Sequence, residues 1–150
     1  MSTRSNIIVE DNHNRIQLYR HWDGYPSGVL PELEVALLYA WQLPRFEAQD
    51  FAAAIVRGWK QEGGGNIYID GSPQGWELIH GDVEWVYLIK PQKEKRKGKA
   101  HPFFSGEPVV EVYDWHDYWF EKANPEQVKP RPVKSMKLLE AKEVGRKWKV

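Results

Sequence analysis

The side chains best suited to ligand chemistry lie together in one short segment, residues 19–26. This segment supplies three aromatic rings, a guanidinium, an imidazole, a carboxylate and a Gly/Pro turn, as Tyr19, Arg20, His21, Trp22, Asp23, Gly24, Tyr25 and Pro26. Aromatic rings stack on nucleobases and a guanidinium binds phosphate, so the composition predicts a site for a phosphate-bearing ligand. A structural interpretation stays open, in which Arg20 pairs with Asp23 or another acid while Trp22 and Tyr25 pack on helices.

A His-x-Asp spacing recurs along the chain and offers a second kind of chemistry. His21 and Asp23 share this spacing with His80 and Asp82, and His116 follows an aspartate in the reverse order. Residues two apart in a strand point to the same side, so each pair presents an imidazole and a carboxylate together. Brought together, these five side chains would hold a divalent metal or serve general acid–base catalysis. The structural interpretation is that each early pair stands where a strand meets a turn, a position that favours aspartate.

Residues 16–26 and 80–87 resemble a group of small uncharacterised prokaryotic and phage proteins. Their pattern pairs a YRHWDGYP-like turn with a GD-x-EY-x-Y-like strand, in which Trp85 takes the second aromatic position here. The resemblance covers residues 1–90 and transfers no activity. It implies a phage or bacterial origin and one site built from both His-x-Asp segments. The expected ligand-binding residues are Tyr19, Arg20, His21, Trp22, Asp23, Tyr25, His80 and Asp82.

The charge is unevenly distributed although the net charge is zero. Residues 1–89 hold 6 basic and 12 acidic residues, whereas residues 90–150 hold 15 basic and 9 acidic ones. A basic loop is suited to nonspecific contact with phosphates, or is a solvated hairpin tip; its cations are Lys93, Lys95, Arg96, Lys97 and Lys99. The basic tail ends with Trp148 between cations, which predicts docking on an acidic surface of a partner or another subunit. The alternative for the tail is a frayed end.

The composition excludes several classes of protein. The chain has no cysteine, which excludes disulfides and thiolate metal sites. Its mean hydropathy is −0.65, and no apolar run approaches the ~18 residues of a membrane-spanning helix. The N-terminal residues lack the apolar region of a signal peptide. We therefore expect a cytoplasmic protein, in the host cytoplasm if it is phage-encoded.

The local patterns predict an α+β fold within one domain. Alternation and β-branched content predict strands at residues 6–10, 15–22, 66–70, 76–80, 83–90 and 108–115. Helical spacing predicts one helix that begins at Pro31 and ends before Pro44, and a second from about residue 46 to the glycines at 63–65. We expect an antiparallel sheet of about five strands with two helices packed on one face; one parallel pairing is an open alternative.

The predicted domain covers residues 1–120, and a basic, proline-containing extension with a short helix at 137–148 follows at 121–150. The favoured function is a small, soluble, non-enzymatic binding protein that needs no cofactor and recognises a nucleotide, a nucleic acid or another phosphate-bearing partner. For a phage protein this fits antagonism of host defence. One alternative is a metal-dependent hydrolase that uses His21, Asp23, His80, Asp82 and His116. The other is a structural or assembly protein, an oligomer included, that acts through protein–protein contacts.

Overall fold

The computed structural model describes residues 3–71, 82–92, 107–115 and 131–149. The first part of the chain forms β1 (Ser5–Glu10), β2 (Arg15–Arg20), α1 (Pro26–Tyr39), α2 (Ala48–Trp59) and β3 (Ile67–Gly71). The second part forms β4 (Trp85–Lys90), β5 (Val109–Asp114), β6 (Lys134–Lys137) and α3 (Ala141–Arg146). Helices and strands are segregated along the chain, so the predicted α+β class is confirmed. None of the helices in these ranges has the length and apolar character to cross a bilayer.

The sheet is mixed and has six strands in the order β3-β2-β1-β4-β5-β6. β1 pairs antiparallel with β2 but parallel with β4, with Ile7 opposite Leu18 on one side and Tyr87 on the other. The expected antiparallel sheet of about five strands with two helices is therefore corrected to a mixed sheet of six strands with three described helices, in which the β1–β4 pair is a parallel pairing of the kind that the sequence left open. A parallel pair needs a long crossover, and the path from β2 through both long helices and β3 supplies it.

The two faces of the sheet carry different layers. On one face, alternate strand residues such as Ile7, Leu18 and Ile89 pack with apolar residues of the helices in the main core. The residues between them in the strands, such as Ile8 and Leu88, form a smaller buried cluster on the opposite face. Because successive side chains in a strand alternate between faces, neighbours in sequence contribute to different layers.

α1 begins at Pro26, five residues before the expected start at Pro31. Pro26 occupies the first helical turn, where the missing N–H of proline leaves no hydrogen bond unmade. Gly28 allows the helix to start close to the preceding turn, since a Cβ there would lie 2.4 Å from the Asp23 carbonyl oxygen. Pro31 consequently lies inside the helix.

The described part of the C-terminal extension, residues 131–149, adds to the sheet and to the helical layer. β6 pairs antiparallel with β5, and Met136, Leu138 and Ala141 are buried in the main core. α3 lies close against α1, where a Cβ on Gly145 would be 2.6 Å from the Pro31 side chain. The predicted helix at 137–148 is thus a 3-10 turn (Leu138–Glu140) followed by α3.

Three sequence predictions fall wholly or mainly outside the described residues. They are the strand at 76–80, the cations of the basic loop at 93–99, and the domain boundary between residues 120 and 121.

Candidate functional site

Arg20 is buried on the helical side of the sheet and is held by several contacts. Its side chain is 2% exposed, and its Nη1 donates to Glu32 Oε2 at 2.8 Å. Its Nε donates to the Trp22 carbonyl oxygen at 2.9 Å, and its Cζ lies 4.5 Å from the centre of the Trp59 ring. This is the internal ion pair of the structural interpretation, with Glu32 rather than Asp23 as the acid. We call these four residues the Arg20 corner.

The turn that follows β2 is fixed by contacts with β1 and β4. The Gly24 N–H donates to the Thr3 carbonyl oxygen at 2.9 Å, and the Tyr87 hydroxyl donates to the Gly24 carbonyl oxygen at 2.6 Å. A Cβ on Gly24 would lie 2.7 Å from Ser5 Oγ, so a larger residue would displace the turn. The tight turn therefore has a structural role.

Trp22, Asp23 and Tyr25 are exposed or partly exposed at the surface of this turn. The Trp22 side chain is 39% exposed, and its ring packs edge-on against His21 with ring centres 5.5 Å apart. The Tyr25 hydroxyl donates to Asp23 Oδ1 at 3.1 Å, and this hydrogen bond is the largest cause that raises the pKa of Tyr25. Asp23 has φ of 54° and so stands in the left-handed region.

A cleft of about 440 Å³ opens on the sheet face opposite the helices. We call it the Tyr19 cleft. In the sheet register Tyr19 lies opposite Asn6 of β1 and opposite Tyr68 of β3, so these three strands position the floor. The residues that line the cleft are Arg4, Tyr19, His21, Tyr68, Ile69, Asp70 and Asp82.

Polar contacts order the cleft. Arg4 forms an ion pair with Asp82, which brings the N-terminal edge of β1 together with the residues before β4. Buried Asn6 donates from Nδ2 to Asp70 Oδ2 at 3.0 Å and to the Leu18 carbonyl oxygen at 3.0 Å. The Asn6 side-chain amide therefore fixes the position of the Asp70 carboxylate, because the same amide is hydrogen-bonded to the backbone of β2.

Tyr19 and His21 form a hydrogen-bonded pair inside the cleft. The Tyr19 hydroxyl lies 2.8 Å from His21 Nδ1. Burial raises the pKa of Tyr19, and the charge of Asp70 raises it further, whereas Arg4 opposes this shift through its charge and a hydrogen bond. The phenol consequently keeps its proton at neutral pH and remains a hydrogen-bond donor.

Two tyrosine rings that contact each other form the aromatic wall of the cleft. The rings of Tyr19 and Tyr68 have centres 5.8 Å apart and are tilted by 40°. Tyr68 is 48% exposed, and the Lys60 ammonium lies 5.8 Å from the centre of its ring. The cleft thus combines an accessible aromatic face with cationic and anionic groups.

The structure divides the predicted site between two places. Tyr19, His21 and Asp82 line the cleft, whereas Arg20 belongs to the corner on the other side of the sheet. Of the remaining predicted residues, His80 lies outside the described ranges. Four lining residues were not predicted from the sequence, and they are distant from the 19–26 segment in the chain: Arg4, Tyr68, Ile69 and Asp70.

Of the five residues in the predicted metal site, the structure describes His21, Asp23 and Asp82. Among the described residues, no group of three His, Cys, Asp or Glu side chains is arranged to hold a metal ion. His21 is within hydrogen-bond distance of Tyr19, and Asp82 is paired with Arg4. His80 and His116 lie outside the described ranges, so a metal site that includes them stays a prediction. No family model, curated protein or solved structure matches this chain.

Proposed function

We propose that this protein binds a mononucleotide in the Tyr19 cleft. The observation that carries the proposal is the grouping of an accessible tyrosine ring, a guanidinium and two carboxylates around a cleft of about 440 Å³. This volume falls within the roughly 300–1,000 Å³ of common small-molecule sites. Nucleotide binding is also the function expected from the sequence, but here Arg4 takes the place of Arg20 as the group that binds phosphate, and Tyr68 provides the stacking surface.

Each part of a nucleotide has a complementary group in the cleft. A base would stack on Tyr68, whose ring is about half exposed; such stacking contributes about 1–3 kcal/mol per base. Arg4, with 34% of its side chain exposed, would bind phosphate. Asp70 and Asp82 would accept hydrogen bonds from sugar hydroxyls. The two carboxylates repel the phosphate of either ligand, so base stacking and the sugar hydrogen bonds are what favour a nucleotide over inorganic phosphate.

Thermal unfolding in the presence of mononucleotides, nucleosides, inorganic phosphate and short oligonucleotides tests this proposal. A ligand that binds only the folded state at 100 times its dissociation constant adds about 2.7 kcal/mol of stability. We expect a higher midpoint with at least one mononucleotide and a smaller shift with its nucleoside. No shift with any nucleotide, or a shift with oligonucleotides alone, would contradict the proposal.

Two matched variants locate the site. Tyr68→Ala should abolish the nucleotide-dependent shift because it removes the stacking surface. Tyr39→Ala should retain the shift, since Tyr39 is also a partly exposed tyrosine, with Arg57 4.4 Å from its ring centre, but lies on α1 away from the cleft lining. If both variants keep the shift, the ligand binds elsewhere.

The hydrolase alternative, the nucleic-acid contact by the basic loop, the cytoplasmic location, the phage origin and the role against host defence stay predictions. A midpoint shift with a divalent metal alone would favour the hydrolase.

A further inference from the structure

A second concave surface, the C-terminal groove, lies on elements that do not contribute to the Tyr19 cleft. It has a volume of about 370 Å³ and is formed by β6, α3 and the residues that follow α3. Its lining residues are Lys134, Glu143, Val144, Lys147, Trp148 and Lys149.

Positive charge is concentrated at this groove. Residues 131–149 contain seven basic and two acidic residues. Outside the groove, Lys142 pairs with Glu34 at 2.7 Å, and Lys137 lies 3.8 Å from Glu107.

The three groove lysines differ from these paired lysines. Lys134, Lys147 and Lys149 are exposed and have no acidic partner among the described residues. Three exposed lysines within residues 131–149 that lack an acidic partner in the described part of the chain therefore lie around one concave surface, which is complementary to a negatively charged partner.

The groove also has a fixed apolar wall. Val144 and Trp148 are partly buried and pack against the main core. The Trp148 ring lies edge-to-face with Trp85, with ring centres 6.1 Å apart and an angle of 89°. The tail tryptophan is thus held by the fold, and the wall exists before a partner binds.

We propose that the C-terminal groove binds an acidic peptide segment of a partner protein. Carboxylates of the segment contact Lys134, Lys147 and Lys149, and one of its apolar side chains lies against Val144 and Trp148. This combination of a hydrophobic contact and surrounding charge is typical of peptide recognition.

The position of Trp148 favours a peptide over a nucleic acid. The Trp148 ring is partly buried against Trp85, so it offers an apolar wall rather than an open surface for base stacking. The inference is independent of the nucleotide proposed for the other site.

Fluorescence anisotropy of a labelled peptide, rich in Glu and containing one Leu, tests the proposal on the full chain. We expect saturable binding that weakens with salt, and weaker binding of a peptide in which the Leu is replaced by Ser. The double variant Lys134→Ala/Lys147→Ala should reduce affinity about tenfold or more.

The matched control is Lys137→Ala/Lys142→Ala, which removes the same charge from paired lysines of the same segment. It should change the affinity less than about threefold. An equal loss in both double variants would indicate nonspecific attraction and overturn the proposal. Tighter binding of an oligonucleotide than of the peptide, no peptide binding, or self-association that the groove variant abolishes would also overturn it.

Discussion

Tyr19 and Arg20 are adjacent in the chain but contribute to opposite sides of the sheet. Tyr19 lies in the cleft, whereas Arg20 is buried beside Glu32 and Trp59 on the helical side. This follows from the two-residue period of a strand. A cluster of recognition side chains in the sequence therefore becomes two separate structures, one accessible and one buried.

Substitution of Arg20 should destabilise the fold. Removal of one partner from a buried ion pair costs about 3–5 kcal/mol, and we expect Arg20→Ala to cost about 3 kcal/mol because Glu32 is partly exposed. Urea unfolding measures this loss. Arg57→Ala is the matched control, since Arg57 also packs on an aromatic ring but has no ion pair with an acid among the described residues. A stable Arg20→Ala protein would show that the corner is not structural.

Buried tyrosines should make stability fall at high pH. Burial raises the pKa of Tyr87 well above its usual value of 10.0, and burial with the Glu111 charge raises that of Tyr113. Above pH 10 the unfolded chain loses these protons while the folded chain keeps them. The unfolded state then binds fewer protons, so the stability present below pH 10 is lost as the pH rises.

Tyr87→Phe tests this pH dependence. At neutral pH it should cost about 1–2 kcal/mol, because the buried Gly24 carbonyl loses its donor. Above pH 10 the free energy of unfolding of Tyr87→Phe should fall less steeply with pH than that of the wild type. The two slopes should differ by up to about 1.4 kcal/mol per pH unit. Urea unfolding from pH 8 to about 11 measures both effects, with Tyr39→Phe as the control at an exposed tyrosine. If the free energy of unfolding falls with pH equally steeply in Tyr87→Phe and in the wild type, the pH dependence does not come from Tyr87.

The site could be predicted from the sequence only in part. Tyr19 and His21 are two residues apart, which is the spacing that places two side chains on the same face of a strand. The sequence therefore predicts that they lie together. Tyr68 and Asp70 have the same spacing in the predicted strand at 66–70, but their approach to Tyr19 depends on the register of β2 with β3. Register between distant strands is set by tertiary packing, so no local pattern indicates it.

At the level of elements, α1 packs closely against both neighbouring helices through glycines. A Cβ on Gly145 of α3 would lie 2.6 Å from Pro31 and 2.8 Å from Leu30. A Cβ on Gly58 of α2 would lie 2.8 Å from Val35. Small residues at these crossings therefore set the distances between the helices.

Gly145→Ala should weaken the α1–α3 contact. Alanine gains about 1 kcal/mol in helix propensity, but overpacking costs about 1–3 kcal/mol, and contact with two backbone-fixed groups favours the upper part of that range. We expect a net loss of about 1–2 kcal/mol in urea unfolding. Gly64→Ala is the control, because a Cβ there meets no atom within 4 Å. Equal stability of both variants would mean that the helices separate without cost.

The elements of the fold were easier to predict than their pairing. Periodicity is local, so the order of helices and strands through β5 could be recognised. β6 could not, since Lys134, Ser135, Met136 and Lys137 show too short an alternation with a single apolar residue. The direction of β4 relative to β1 depends on the path of the intervening chain, which a strand pattern does not encode.

At the level of the whole molecule, residues 131–149 of the C-terminal extension contribute to the core. Met136 and Leu138 are 7% and 2% exposed, and burial of two such side chains contributes about 3–6 kcal/mol. This is comparable with the total stability of a small domain, about 5–15 kcal/mol.

Deletion of residues 131–150 should therefore abolish or strongly reduce cooperative unfolding. Circular dichroism during heating measures this, with Leu139→Ser as a full-length control at an exposed apolar position of the same segment. A deletion variant with an unchanged midpoint would instead support the predicted boundary at residue 120 and a separable extension.

The central position of β1 in the sheet determines when each of its edges can pair while the chain is being synthesised. β1 and β2 can form a hairpin as soon as residue 20 has left the ribosome, but the other edge of β1 pairs only with β4. α1 likewise meets α3 only after residue 145 has emerged. From the emergence of residue 20 until that of residue 90, the nascent chain therefore exposes an apolar strand edge of the kind that pairs with other chains. Correct folding therefore requires that this edge stay unpaired with other chains until β4 emerges.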